Sequence, residues 1–136
     1  MKKFFLVLLF LGTALFAGEI NWLHSYQQGT QVAKEQHKPL LLFFYRPGCP
    51  ACEYMEENVF TDKSIYSYIN TNFVPVSLDI SKNDAPEALK AFGTPTFQFV
   101  NDEGTKVRET LVGGKTGSFY LNILKEAVNN YKHTAH

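Results

Sequence analysis

The feature that most constrains the fold of this chain is an uninterrupted apolar run at residues 40–45, followed by a turn and a pair of cysteines. Six consecutive leucine and aromatic residues are typical of a strand covered on both faces, and such a strand lies at the centre of a sheet. A turn sequence at residues 46–48 then ends the strand. A Cys-Pro-Ala-Cys tetrapeptide follows at residues 49–52, and its proline suits the first turn of a helix. The sequence therefore predicts a strand, a tight turn and a helix that begins at the cysteines.

The rest of the chain predicts alternating helices and strands. Helices are expected at residues 20–37, 62–70, 84–92 and 118–131. Strands are expected at residues 73–80, 96–100 and 106–112, with a hairpin turn between the last two. This order describes one α/β domain at residues 20–131, with a single mixed β-sheet flanked by helices on both faces. Residues 132–136 are expected to form a disordered tail.

The first 17 residues have the composition of a secretory signal peptide. Two lysines precede thirteen residues without a charge, which suits a signal peptide but falls short of the ~20 residues of a membrane-spanning helix. Ala17 is small enough to precede a cleavage point. We therefore expect residues 1–17 to be removed on export, with an uncleaved N-terminal anchor as the alternative. In both cases the remainder is expected outside the cytoplasm, in the periplasm.

The charge pattern argues against binding to nucleic acids. Without residues 1–17 the chain has 11 basic and 13 acidic residues, a net charge of −2. These charges are scattered, with no basic run and no alternation of basic and aromatic residues. The sequence therefore offers no electrostatic basis for contacts with a phosphate backbone.

The chain has two cysteines, and their spacing favours redox chemistry over a structural role. A disulfide across so short a loop is expected to add roughly 2 kcal/mol, against ~4–5 kcal/mol for one that closes a 100-residue loop. At a helix N-terminus, unpaired N–H groups and the helix dipole stabilise a thiolate. We expect Cys49, at or near the N-cap, to be the exposed attacking thiolate. Cys52, one turn later and nearer the core, is expected to resolve the mixed disulfide.

Other uses of a Cys-x-x-Cys pair fit this sequence less well. Structural zinc needs four ligands, and no histidine of the chain stands beside a second cysteine pair. Covalent haem attachment needs a histidine directly after the second cysteine, where this chain has Glu53. We therefore expect no resident metal and no cofactor. Copper delivery through two thiolates and a histidine is kept as an alternative.

The cysteine pair and a Gly-Thr-Pro-Thr segment at residues 93–96 together resemble the pattern of the thioredoxin superfamily. More narrowly, the chain is similar to exported thioredoxin-like proteins of the type found in the C-terminal periplasmic domain of the thiol-disulfide interchange protein DsbD. Residues 38–42, 59–62 and 93–96 carry this similarity. The resemblance covers roughly residues 20–130 and implies a thioredoxin fold.

The resemblance also implies roles for residues outside the tetrapeptide. It implies that Pro95 follows a cis peptide bond and faces the cysteine pair, and that the backbone of Thr94 pairs with the substrate chain. Relatives carry a buried aspartate that assists deprotonation of the second cysteine, and this chain has Phe43 at that position. Glu56, one turn after Cys52, matches a glutamate of the DsbD-like domain and is a candidate proton acceptor in its place. A solvated surface acid is the alternative interpretation of this glutamate.

Arg46 is a candidate stabiliser of the attacking thiolate. It lies three residues before Cys49, and a guanidinium beside the sulfur would add positive potential there. The alternative is a side chain that points into solvent.

The resulting functional prediction is a periplasmic thiol-disulfide oxidoreductase that acts as a monomer on protein disulfides. Its oxidised form would take electrons from a membrane donor of the DsbD or CcdA type, because the compartment itself is oxidising. Ala51 stands where strong oxidants carry a histidine, which favours the reducing direction. A disulfide-forming oxidant and a non-catalytic module for copper delivery or redox sensing are the alternatives. An isomerase is disfavoured, because no residues are left over for a dimerisation region.

Overall fold

The computed structural model of the protein describes residues 18–134, so the predicted signal peptide at residues 1–17 lies outside the described part. The helices are α1 (Tyr26–Gln36), α2 (Pro50–Tyr54), α3 (Lys63–Asn72) and α4 (Gly117–Thr134), and α2 continues into a wider π-helical turn over Met55–Val59. The strands are β1 (Leu40–Tyr45), β2 (Val74–Asp79), β3 (Thr96–Val100) and β4 (Leu111–Val112). No helix within residues 18–134 combines the length and apolar character needed to cross a membrane.

The four strands form one mixed sheet in the order β2-β1-β3-β4, in which β1 pairs parallel with β2 and antiparallel with β3. Both faces of β1 are buried, because its alternate side chains enter two separate apolar clusters. Leu41 and Phe43 belong to the cluster under α2, α3 and α4. Leu40, Leu42 and Phe44 belong to the cluster under α1. The predicted central strand and the predicted mixed sheet with helices on both faces are confirmed.

The first helix begins at Tyr26, which makes the predicted start at residue 20 wrong. The residues before α1 run beside the edge strand β2 instead. The Leu23 N–H donates to the Pro75 carbonyl (2.9 Å), and the Ser77 N–H donates to the Leu23 carbonyl (2.8 Å). An edge strand presents unpaired backbone groups. Hydrogen bonds to the backbone groups of β2 therefore hold Leu23 in an extended segment, although the apolar residues around it have helical spacing.

The predicted helix at residues 84–92 is also wrong, since only a 3₁₀ turn forms there, over Glu87–Leu89. Pro86 before this turn is extended, with φ −64° and ψ 156°. The Leu89 carbonyl accepts from the side-chain Nε2 of Gln98 (2.9 Å). The Leu89 carbonyl is therefore satisfied by a side chain of β3 rather than by a helical hydrogen bond.

Two further boundaries differ from the predictions. The last strand is limited to Leu111–Val112, although Lys106 and Val107 still pair with residues of β3. The guanidinium of Arg108 lies over the ring of Phe99, 5.6 Å from its centroid. Helix α4 extends to Thr134, so residues 132–134 of the predicted disordered tail are helical. Residues 135 and 136 lie outside the described part of the chain.

Asp84 caps helix α1 from a distant part of the chain. Its carboxylate accepts hydrogen bonds from Ser25 Oγ (2.9 Å) and from the backbone N–H groups of Tyr26 (2.6 Å) and Gln27 (2.9 Å). Partial desolvation of the carboxylate acts to raise its pKa, but these hydrogen bonds outweigh it and lower the pKa of Asp84. The ionised carboxylate therefore stabilises the start of α1.

Asp84→Asn is expected to lower the free energy of unfolding by about 1 kcal/mol at neutral pH, because both carboxylate oxygens accept hydrogen bonds and the amide loses the charge and one of these acceptors. The folded pKa of Asp84 lies below the unfolded value of 3.8. The stabilisation is thus present above that value and is lost as the pH falls through the folded pKa. Urea denaturation of both proteins at neutral and at strongly acidic pH measures the effect. A stability difference that is equal at the two pH values would contradict the charge-assisted cap.

Candidate functional site

The two cysteines lie where β1 leads into α2, and a disulfide bond joins them with their Cα atoms 5.2 Å apart. Cys49 is the N-cap residue of α2, and Pro50 occupies the first turn. The backbone N–H of Cys52 donates a hydrogen bond to the Cys49 sulfur (3.2 Å). Cys49 thus caps the helix, as the sequence predicts, and its sulfur accepts one of the unpaired N–H groups of the first turn.

The expectation that the Cys49 sulfur is exposed is wrong for the disulfide form. Cys49 keeps 2 % of its accessible surface. The Thr94 hydroxyl lies 3.3 Å from the Cys49 sulfur, and the Nε–H of Arg46 donates to that same hydroxyl oxygen (3.2 Å). Thr94 comes from a loop 45 residues further along the chain. The sequence next to Cys49 therefore gives no indication that Thr94 lies against its sulfur.

The loop that carries Thr94 is fixed against the end of β4. The Thr94–Pro95 peptide bond is cis, the isomer that the family resemblance implies. Pro95 is buried, and its carbonyl accepts a hydrogen bond from the Gly113 N–H (2.9 Å). Thr94 itself is half-buried. The structure thus brings three of the candidate residues, Cys49, Thr94 and Arg46, into one hydrogen-bonded group.

An exposed aromatic side chain and a cleft lie beside this group. Phe92, two residues before Thr94, is 99 % exposed. A cleft of about 300 Å³ is lined by Arg46, Ile80, Phe92, Gly93 and Thr94. Sequence analysis places Phe92 in a helix and assigns it no function. Phe92 thus lines the same cleft as Arg46 and Thr94, the two residues hydrogen-bonded beside Cys49.

Glu56 lies on the outer side of the π-helical turn, one turn after Cys52. Partial desolvation and repulsion by Glu53 and Glu57 raise the pKa of Glu56. Among residues 18–134, the Glu56 carboxylate forms no hydrogen bond with Cys52, so its role as proton acceptor stays a prediction. The aspartate position of relatives is occupied by Phe43, which is buried among other aromatic rings.

Known proteins are similar to this chain in sequence. A family model described as a thioredoxin-like domain matches residues 26–127. The thiol:disulfide interchange protein DsbD of Vibrio vulnificus is 29 % identical over 101 residues, which are 71 % of this chain and 17 % of that protein. The chain therefore spans about a sixth of the length of this relative.

Two solved structures have a similar fold. The oxidised C-terminal domain of Neisseria meningitidis DsbD is 20 % identical, with a TM-score of 0.61 and coverage of 74 % of this chain and 90 % of that domain. A putative disulphide-isomerase from Bacteroides thetaiotaomicron is 25 % identical, with a TM-score of 0.70 and coverage of 82 % and 95 %. The predicted thioredoxin fold is confirmed by these likenesses.

Proposed function

Because this chain belongs to the family of thioredoxin-like domains, we propose that it is a periplasmic oxidoreductase that reduces disulfide bonds in exported proteins. The observation that carries the proposal is the Cys49–Cys52 disulfide at the N-terminus of α2, in contact with the Thr94–Pro95 loop. A dithiol that closes reversibly into a disulfide at a helix N-terminus is suited to exchange with a second disulfide. Cys49 is the nucleophile, Cys52 resolves, and Thr94 and Pro95 dock the substrate chain.

The reaction starts from the reduced cysteines. The Cys49 thiolate attacks one sulfur of the substrate disulfide, so that a Cys49–substrate bond forms, the substrate disulfide breaks, and the leaving thiolate takes a proton from water. Cys52 then loses its proton and attacks the Cys49 sulfur. The Cys49–Cys52 disulfide forms and the second substrate thiolate leaves. Two electrons pass in total from the enzyme dithiol to the substrate disulfide.

The buried Cys49 sulfur has to become accessible before a second thiol or disulfide can react with it. In the disulfide form a partner reaches the buried Cys49 sulfur only after neighbouring side chains have moved, and Thr94, whose hydroxyl lies 3.3 Å from the sulfur, is one of them. Thr94 is half-buried and Arg46, which donates to its hydroxyl, is exposed, so both side chains can rotate without a rearrangement of the core. The exposed Phe92 and the adjoining cleft offer a protein substrate contact area next to the sulfur.

The proposed function also includes export of the chain and re-reduction of its Cys49–Cys52 disulfide. Residues 1–17 act as a signal peptide or anchor, and residues 20–131 form the catalytic domain, which works as a monomer. The oxidised domain receives electrons from a membrane donor of the DsbD or CcdA type. The similarity to DsbD supports this assignment, since the name of that relative describes thiol:disulfide interchange.

Glu56 accepts the proton of Cys52 in the second step of this reaction. A raised pKa makes the carboxylate a better match for a thiol proton near neutral pH, and the group acts as a base only when ionised. Glu56→Gln is therefore expected to slow resolution by about tenfold or more. It should remove the part of the pH dependence that follows ionisation of Glu56 and leave the increase that follows ionisation of Cys52 itself. Rapid-mixing measurements of the release of the second substrate thiol report this step directly.

Glu57→Gln is the matched control for this prediction. It removes a charge that raises the pKa of Glu56, so the pH profile should keep its shape and move to lower pH. An unchanged profile in Glu56→Gln would identify Glu56 as a solvated surface acid.

The reducing direction is tested by the equilibrium of the protein with reduced and oxidised glutathione. The fraction of oxidised protein, followed by alkylation of free thiols, gives the reduction potential. We expect a value below about −150 mV, the side on which thioredoxins, glutaredoxins and protein disulfide isomerase lie. A higher value would assign the domain to disulfide formation instead.

A further inference from the structure

We propose that Arg46 is a positioning residue that holds the Thr94 hydroxyl as a hydrogen-bond donor to Cys49 and thereby stabilises the Cys49 thiolate. The inference rests on the proposed function, because it concerns the control of the same nucleophile. It goes beyond that function in assigning the control to a side-chain relay, in which the charged residue acts through a neutral one.

The direction of the two hydrogen bonds follows from the chemistry of the side chains. A guanidinium has donors and no acceptor, so Arg46 Nε–H donates to Thr94 Oγ1 (3.2 Å). The threonine hydroxyl has one hydrogen and two lone pairs, and Arg46 occupies one lone pair. The hydroxyl hydrogen is then directed to the Cys49 sulfur, 3.3 Å from Oγ1. Without Arg46, the hydroxyl hydrogen has no such constraint on its orientation.

The relay acts more strongly on the reduced protein than on the disulfide. Hydrogen bonds to an ionised acceptor are roughly twice as strong as those between neutral groups. A Cys49 thiolate therefore gains more from the Thr94 donor than a disulfide sulfur or a protonated thiol does. Because the Cys52 N–H donates to the same sulfur (3.2 Å), the thiolate has two donors from different parts of the chain. The relay consequently lowers the pKa of Cys49 and raises the reduction potential.

Other charged groups near the cysteines have to be separated from this effect. Glu53, Glu56 and Glu57 follow the cysteines on α2 and the π-helical turn, and their negative charges oppose a thiolate. Lys115 brings a cation from the segment after β4, where its backbone N–H bonds to the sulfur of Met55 (3.3 Å). In the part of the chain that the structure describes, no carboxylate forms an ion pair with Arg46. Its guanidinium charge thus stays available to polarise the Thr94 hydroxyl.

The test titrates Cys49 in the reduced full-length protein by the ultraviolet absorbance of its thiolate. Thr94→Val keeps the shape of the side chain and removes the donor. We expect it to lower the acid dissociation constant of Cys49 about tenfold, the size of one charge-assisted hydrogen bond. The glutathione equilibrium should become more reducing by a similar factor, a shift of about 30 mV per tenfold. Thr94→Ser restores the hydroxyl and should restore most of both values.

A double-mutant comparison separates positioning from charge. Arg46→Met removes the donor and the charge, and we expect it to lower the acid dissociation constant of Cys49 several-fold in the otherwise unchanged protein. In a Thr94→Val background the same substitution should have no further effect, because the group through which Arg46 acts is gone. An equal effect of Arg46→Met in both backgrounds would overturn the relay and assign the effect to charge alone.

The outcomes also separate this inference from the proposed function. If the unmodified protein reduces insulin but Thr94→Val and Arg46→Met titrate as it does, the relay is wrong and the function stands. If the unmodified protein does not reduce insulin, the proposed function is wrong, and the titrations still decide the relay. Circular dichroism of each variant establishes that it is folded, and Thr94→Ser provides a second variant at the same position.

Discussion

Replacing Cys49 by serine is expected to abolish disulfide reduction, and replacing Cys52 by serine is expected to stop the reaction halfway. A serine hydroxyl does not ionise near neutral pH, so Cys49→Ser removes the nucleophile. Cys52→Ser leaves the nucleophile in place and removes the sulfur that resolves the mixed disulfide. The two variants therefore differ in where they stop, although both lose turnover.

An insulin reduction assay with dithiothreitol as electron source measures the first part of this prediction. We expect both variants to fall to the rate of the assay without enzyme. The second part is measured on non-reducing gels after incubation with a periplasmic extract. Cys52→Ser should retain partners through bonds that dithiothreitol releases, and Cys49→Ser should retain none.

Cys49→Ser and Cys52→Ser are matched controls for each other. Each variant removes one sulfur from the same short loop, and both lose the Cys49–Cys52 disulfide. Capture by Cys49→Ser, with none by Cys52→Ser, would show that the two roles are reversed. Turnover by either variant well above the uncatalysed rate would contradict the dithiol mechanism as a whole.

The parts of the fold that the sequence predicted well depend on local signals. Strands β1 and β3 have the predicted bounds. β1 is an apolar run that ends at a turn sequence, and β3 is a short stretch between Pro95 and a hairpin turn, so neither needs a distant partner to be identified. Cys49 caps α2 for a similar reason. Pro50 suits the first helical turn, and a residue just before it is placed to accept the first free N–H.

The errors lie where distant parts of the chain decide the structure. The segment before α1 has helical spacing, yet Leu23 pairs with β2, whose position beside it is set by the whole sheet. Residues 84–92 also have helical spacing, yet Asp84 is used to cap α1 and the Leu89 carbonyl is used by Gln98. Local periodicity carries no information about either partner.

The candidate site shows the same division between features that are visible in one stretch of sequence and contacts between distant residues. The sequence identified both cysteines and Arg46, because the cysteine spacing and an arginine three residues before Cys49 are visible in one stretch. It did not predict that Arg46 would contact Thr94, or that the Thr94 hydroxyl would lie against the buried Cys49 sulfur. Phe92 was not identified as a site residue, because residues 84–92 were expected to form a helix. The structure has only a 3₁₀ turn there, and Phe92 lies beyond it with its side chain exposed. A contact between residues 45 positions apart, such as Thr94 and Cys49, can be identified only once the fold is known.

The second large effect concerns Phe43, which stands at the position where the family resemblance implies a buried aspartate. Phe43 is 1 % exposed and belongs to the same apolar cluster as both cysteines. Its ring lies within contact distance of four other aromatic rings, with centroid separations of 5.6 Å to Trp22, 6.0 Å to Tyr45, 5.3 Å to Phe60 and 5.3 Å to Phe97. The position thus joins β1, β3 and the segment after the π-helical turn beneath the active site.

Phe43→Ala is expected to lower the free energy of unfolding by roughly 3–5 kcal/mol, the loss typical of an aromatic ring removed from a packed core. The four surrounding rings are held by four different parts of the chain, namely the segment before α1, β1, the segment after the π-helical turn and β3, so they cannot collapse fully into the space that is left. Urea denaturation of the oxidised proteins, with the disulfide intact in every variant, measures the difference. Phe43→Leu keeps most of the volume and should cost less than about 1.5 kcal/mol.

Phe92→Ala provides the matched control, since it removes the same ring from a side chain that is 99 % exposed. Its cost should stay within about 0.5 kcal/mol, as for other surface substitutions. A loss in Phe43→Ala no larger than in Phe92→Ala would mean that the aromatic cluster does not hold the sheet together. A large loss in the first and none in the second would establish that the buried Phe43 ring stabilises this domain through its packing.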